Sequence, residues 1–174
     1  MKQHNGKEGE TMGYYSDFSG KVILDIDKVI SILEDASMKD QSATAALAEN
    51  IKNSLDVPLD GDKRTYRDLL QQAYDDWCAV FGNDAYRNYT YDDDLGAFVK
   101  NGEIFTVVSS VKLYDFSRDL KAFFEKYRDA ITYLYAERYG EENEDIEHFE
   151  VRNENGKNVL YNGKPVITFE YSPL

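Results

Sequence analysis

The sequence predicts an α+β fold: an antiparallel sheet of about five to six strands, one helix across a face, and an inserted helical lobe. Three observations predict it. Period-two alternation recurs in several short segments rich in Val, Ile, Phe and Tyr. Two helical stripes are strongly apolar on one side. Asn-Gly pairs stand at Asn101-Gly102 and Asn162-Gly163, and Asn-Gly suits a tight hairpin because both central residues need positive φ.

The core of the fold is expected between residues 97 and 171. Ala97 to Lys100 reads as a strand, Asn101-Gly102 as a type I′ turn, and Glu103 onward as a long strand. Lys100 and Glu103 would then be an opposite-charge cross-strand pair. Phe105, Val107, Val111 and Leu113 share one parity and are expected on the core face; Thr106, Ser110 and Lys112 share the other. A helix over 117–129 follows, with Ser117 as N-cap and Leu120, Phe123, Phe124 and Tyr127 on one stripe. Further strands are expected at Ile131–Tyr139, Ile146–Arg152, Val159–Tyr161 and Val166–Tyr171, with Pro165 at a strand start or on an edge. Phe149, Val151, Ile167, Phe169 and Tyr171 are the expected core beneath the helix. If Leu134 and Ala136 face that helix, Tyr133, Tyr135, Glu137 and Tyr139 line the open face.

Ahead of this core, residues 1–11 read as a flexible tail, and residues 12–174 as a single domain. Tyr14 to Ile26 reads as the first strand, and Asp27 as the cap of a short helix with Val29, Ile30 and Leu33. The helical lobe spans 27–82. Ala43, Leu47, Ile51 and Leu55 form a thin stripe, and Asp56 to Arg64 a loop. The strongest helix carries Tyr66, Leu69, Leu70, Ala73, Tyr74, Trp77 and Phe81 on one face, with Gly82 as its C-terminal cap. Asn83 to Gly96 reads as a long polar and aromatic loop.

Met12 to Gly20, running Met-Gly-Tyr-Tyr-Ser-Asp-Phe-Ser-Gly into a strand, resembles small uncharacterised proteins of bacteria and their phages. Those proteins open with Met-Gly-Tyr and a Ser or Thr, then a Gly entering a strand. Tyr139-Gly140-Glu141-Glu142, followed by strand, turn and strand, is similar in layout. The resemblance implies a bacterial, phage or mobile-element source and carries no activity.

Composition excludes several classes of function. The chain has 33 acidic against 20 basic side chains and a net charge of −13, so nucleic-acid backbones and anionic membranes repel it. One cysteine permits no intrachain disulfide, and no apolar run reaches the ~18 residues of a membrane span. The expected compartment is the cytoplasm, the host cytosol for a phage-encoded chain. No metal or cofactor is expected. In Asp92–Glu103 the glycine falls at the wrong position for a calcium loop, Asp56–Arg67 ends in arginine, and His4, His148 and Cys78 have no zinc spacing. Cys78 borders an apolar stripe and reads as a buried structural thiol. His148 and Glu150 sit two residues apart on a strand, which does not make a catalytic triad.

What remains is acidity combined with 14 tyrosines. Asp92, Asp93 and Asp94 form one run; Glu141, Glu142, Glu144 and Asp145 belong to a second; Asp68, Asp75 and Asp76 form a third. With Tyr133, Tyr135, Glu137 and Tyr139, the first two runs are the candidate partner-binding residues. Tyrosines anchor interfaces, and carboxylates meet Lys and Arg. The expected function is an acidic stoichiometric inhibitor of a basic, nucleic-acid-binding protein, such as an anti-CRISPR or anti-restriction factor. Alternatives are a carboxylate-based enzyme, a toxin-immunity protein, or an adaptor whose acidity serves only solubility. A full DNA mimic needs several elements. Carboxylates at i and i+2 of a strand lie ~6.6–6.8 Å apart, against ~3.4 Å between charges on one DNA strand.

Overall fold

The structure, a computed structural model, describes residues 15–34, 65–82, 94–142 and 145–166, with residues 94–97 through their backbone alone. The expected tail, the 43–55 stripe, the loop after it and the core positions Ile167, Phe169 and Tyr171 lie outside the described residues. Strand β1 (Ser16–Leu24) leads into α1 (Ile26–Leu33). Then come α2 (Tyr66–Val80), α3 (Asp94–Asn101) and β2 (Glu103–Val111). The chain continues through α4 (Phe116–Tyr127), β3 (Ile131–Tyr139), β4 (Ile146–Glu154) and β5 (Lys157–Gly163). The five strands form one antiparallel sheet in the order β2-β1-β3-β4-β5. This is an α+β fold.

Helices α2 and α4 pack on the same side of the sheet. Their stripes do what the spacing requires: Leu69, Leu70, Ala73, Tyr74 and Trp77 of α2 and Leu120, Phe123, Phe124 and Tyr127 of α4 are buried. Thr65 and Asp68 cap α2 reciprocally, and Gly82, at φ +84°, ends it where the sequence places its cap. Between helices and sheet runs a continuous set of aromatic contacts. Trp77 meets Phe81 at 5.1 Å and Phe123 at 5.2 Å between ring centroids; Phe116 meets Phe81, Phe18 and Phe149. Each fully buried large side chain contributes roughly 1.5–3 kcal/mol. Trp77 stays satisfied while buried because its indole N–H donates to Thr106 Oγ1 at 3.1 Å. Gly20 makes room for this layer, since a Cβ there would stand 2.5 Å from Phe81 Cζ. Cys78 is buried, as its place on the stripe implies.

Several local expectations are overturned. Ala97–Lys100 is not a strand but the last part of α3, and Asn101-Gly102 is not a hairpin turn. Gly102 terminates the helix at φ +69°, its N–H donating to Phe98 O at 2.7 Å and its C=O accepting from Leu24 N at 2.7 Å. Only glycine fits there, because a Cβ would lie 2.0 Å from Leu24 O. Lys100 therefore does not pair with Glu103, which meets Lys21 at 2.6 Å instead. Asn162-Gly163 lies within β5, opposite Phe149 and His148. The tight hairpin turn is Asn155-Gly156, at φ +52° and +81°, joining Glu154 to Lys157. Asp25 rather than Asp27 caps α1, accepting from Lys28 N at 3.3 Å, so β1 stops two residues short of Ile26. Asp115 rather than Ser117 precedes α4.

The parity of β2 is also reversed over most of its length. Ile104, Thr106 and Val108 point into the core, while Phe105 and Val107 point out. The cause is a bulge near Ser110, whose φ is +57° and whose N–H donates to Asp17 Oδ1 at 2.8 Å. Beyond it, Val111 and Leu113 pack against the core as expected.

Candidate functional site

The sheet face opposite α2 and α4 carries no described helix. Its side chains follow from the strand register. One row crosses the sheet as Phe105, Lys21, Tyr135, Glu150 and Tyr161. The next runs Val107, Ser19, Glu137 and His148. On either side of these rows, Ile23 pairs with Tyr133 and Asp17 with Tyr139. Leu134 and Ala136 are buried on the other side, which is what turns Tyr133, Tyr135, Glu137 and Tyr139 outward. Phe105 is 55% exposed, Tyr133 45%, Tyr139 44% and Val107 36%, with Lys21 and Ser19 of β1 between the β2 pair and the β3 tyrosines. The rings of Tyr133 and Tyr135 stand edge to face, 6.0 Å apart.

The charges on this face are largely paired with one another. Lys21 holds Glu103, and that hydrogen bond raises the lysine pKa. Glu137 accepts from Tyr139 Oη at 3.1 Å, which raises the Tyr139 phenol, and lies 2.9 Å from His148 Nδ1. Tyr135 is raised mainly by burial. Glu150 meets the Arg152 guanidinium, which holds its carboxyl below the usual range, and His148 Nε2 is 3.7 Å away. Arg152 stacks over Tyr161 at 4.8 Å. The result is an apolar and phenolic field with neutralised ion pairs set into it.

Among the described residues, the acidic side chains of these runs are dispersed. At the β3–β4 turn, Glu141 accepts from Tyr15 N at 3.0 Å, and Asp145 N donates to the Glu142 carbonyl at 2.9 Å. Asp145 and Glu147 clamp Arg138 on the helix side of the sheet, away from the tyrosines. On α2, Asp68 belongs to the cap, Asp75 accepts from Gln71, and Asp76 takes both Lys126 and Tyr127 at 2.6 Å. Asp92, Asp93 and Glu144 lie outside the described residues, and Asp94 begins α3. The structure therefore brings together Tyr133, Tyr135, Glu137 and Tyr139, and does not bring Asp145 to them. It adds Phe105 and Val107, which parity alone assigns to the wrong face. The signal for them was Asp17 opposite a Ser-Ser pair, a polar site suited to a bulge, but it spans 93 residues of sequence.

Among the described residues, no three side chains of His, Cys, Asp or Glu are placed to hold a metal, and no helix is long and apolar enough to cross a membrane. Comparison with family models, curated proteins and solved structures finds no match.

Proposed function

We propose that this chain acts stoichiometrically, as an acidic inhibitor that docks its open sheet face onto a basic, nucleic-acid-binding protein. The observation that carries the reading is the cluster of exposed Phe105, Val107, Tyr133 and Tyr139 on one face. Large apolar side chains exposed together on one sheet face mark an interaction site, and tyrosine supplies anchor area at low entropic cost. The net charge of −13 steers a cationic partner towards the protein and repels nucleic acid. Affinity then rests on the tyrosines and approach rate on the acids. The internal ion pairs of the open face argue against a DNA-like charge array as the source of affinity.

The test is recovery of bound proteins from a lysate of the source cells, followed by hydrogen-exchange mapping and competition with the partner's nucleic acid. A basic partner that protects β2 and β3, and that releases its nucleic acid on binding, supports the proposal. Protection confined to the helix side, or a ternary complex that keeps the nucleic acid, sinks it.

A further inference from the structure

The two edges of the sheet are built differently. The β5 edge starts at Lys157 and is followed by Lys164-Pro165, and lysine and proline are residues that keep edge strands from pairing. The β2 edge has no such guard. Between Glu103 and Ser109 its only charge is Glu103, which Lys21 of the same chain holds at 2.6 Å. Among the described residues β2 has one neighbouring strand, β1. Helix α3 is tied to the helix side, where Phe98 is buried and its ring meets Tyr74 at 6.3 Å.

The direction of the free backbone groups follows from the register. Leu24 N–H donates to the C=O of Gly102, and the next pair along the ladder is Ile23 with Glu103. Bonded and unbonded pairs alternate along antiparallel strands. Ile104, Thr106 and Val108 therefore exchange bonds with β1, and the N–H and C=O of Glu103, Phe105 and Val107 point away from the sheet.

The same stretch is a chemical palindrome about Thr106. Glu103 and Ser109 are polar, Ile104 and Val108 are buried aliphatics, and Phe105 and Val107 are exposed and apolar. The bulge near Ser110 ends it. Turned about a twofold axis at Thr106, each residue falls opposite one of its own kind: Phe105 meets Val107 of the second copy, Ile104 meets Val108, and Thr106 meets Thr106. Aromatic–β-branched and Thr–Thr pairs are favourable across strands. Phe105 and Val107 are also positions with free backbone groups, so each such pair can exchange both hydrogen bonds. A second copy matches this symmetry by construction, which singles it out among strands that could add to the edge.

We propose that β2 pairs antiparallel with β2 of a second copy about this axis, joining two five-stranded sheets into one. The proposal does not rest on the inhibitory role, because edge backbone joins the copies whereas open-face side chains meet the partner. Each copy carries a net charge of −13, so the copies repel at long range and added salt strengthens the pairing.

The test is sedimentation velocity of the full chain over a wide concentration range, at low and high salt. A monomer–dimer equilibrium that salt favours is expected. Phe105→Pro removes an N–H that β1 does not use, so it should keep the native circular dichroism and weaken dimerisation roughly tenfold or more. The unaltered chain supplies a second measurement: amide exchange at Phe105 and Val107 should slow as concentration rises, with no change along β5. A monomer at every concentration and salt, which leaves the edge to an extended peptide of another protein, would overturn the proposal. So would undiminished dimerisation of a folded Phe105→Pro variant, or slowing confined to β5.

Discussion

The two faces of the sheet are made by the same strands and obey different rules. On the covered face of β3, Leu134 and Ala136 are buried; on the alternate parity of the same strand, Tyr133 and Tyr139 remain more than two-fifths exposed. The covered face is apolar and joined through rings to α2 and α4. The open face mixes phenols, two apolar side chains and the ion pairs Lys21–Glu103 and Arg152–Glu150. The difference teaches that stability and recognition can be assigned to alternate residues of one strand. Substitution should therefore separate the two properties.

The largest effect should come from the covered face. Trp77→Ala and Phe124→Ala should each lower stability by ~3–5 kcal/mol, read as a fall in the urea midpoint. Unchanged midpoints would erase the distinction between the faces. Gly20→Val should cost somewhat less, ~1–3 kcal/mol, because the added carbons collide with Phe81 and the buried ring has nowhere to move.

A pH effect follows from the same side. Burial, then the hydrogen bond to Asp76, pushes the Tyr127 phenol well above its ordinary value of 10.0. Its folded-state pKa is raised, so its contribution is full below about pH 10 and declines as the unfolded chain ionises above that. Stability should fall as pH rises past this point, and Tyr127→Phe should flatten the fall. An identical alkaline slope in the variant would show that Tyr127 is not the group responsible.

On the open face, Phe105→Ser and Tyr133→Ala should change stability by only ~0.5 kcal/mol or less. They should nevertheless speed dissociation of the partner. A large loss of stability would mean that this face is packed against something in the free protein. The smallest effect should come from Glu141→Lys with Glu142→Lys, which should slow association, most visibly at low salt, and leave dissociation alone. Asp145 is left out of that pair because it holds Arg138, and a lysine there would set two cations together.

Long helical stripes were legible in the sequence because burial repeats along them at the helical period. Leu69 through Trp77 and Leu120 through Tyr127 needed no distant information. The extent of strand β3 was legible, but its faces were not, because both parities carry bulky residues; the burial of Leu134 and Ala136 is what turns Tyr133, Tyr135 and Tyr139 outward. The Asn-Gly pairs were not legible either. The same dipeptide ends a helix at 101–102, continues a strand at 162–163 and turns a hairpin at 155–156, according to what packs around it. The outward direction of Phe105 and Val107 depends on a bulge fixed by Asp17, a partner in another strand. Local pattern carries no trace of that contact.

The chain contains a single tryptophan, and it lies at the centre of the covered face, fully buried and hydrogen-bonded to Thr106. Its emission is therefore a native optical gauge of the α2–sheet junction. In the folded protein it should emit at short wavelength and resist soluble quenchers; unfolding should shift it to the red. Because the open face lies across the sheet from the indole, a partner docking there should leave the spectrum nearly still, so loss of fold and gain of a complex can be told apart in one cuvette.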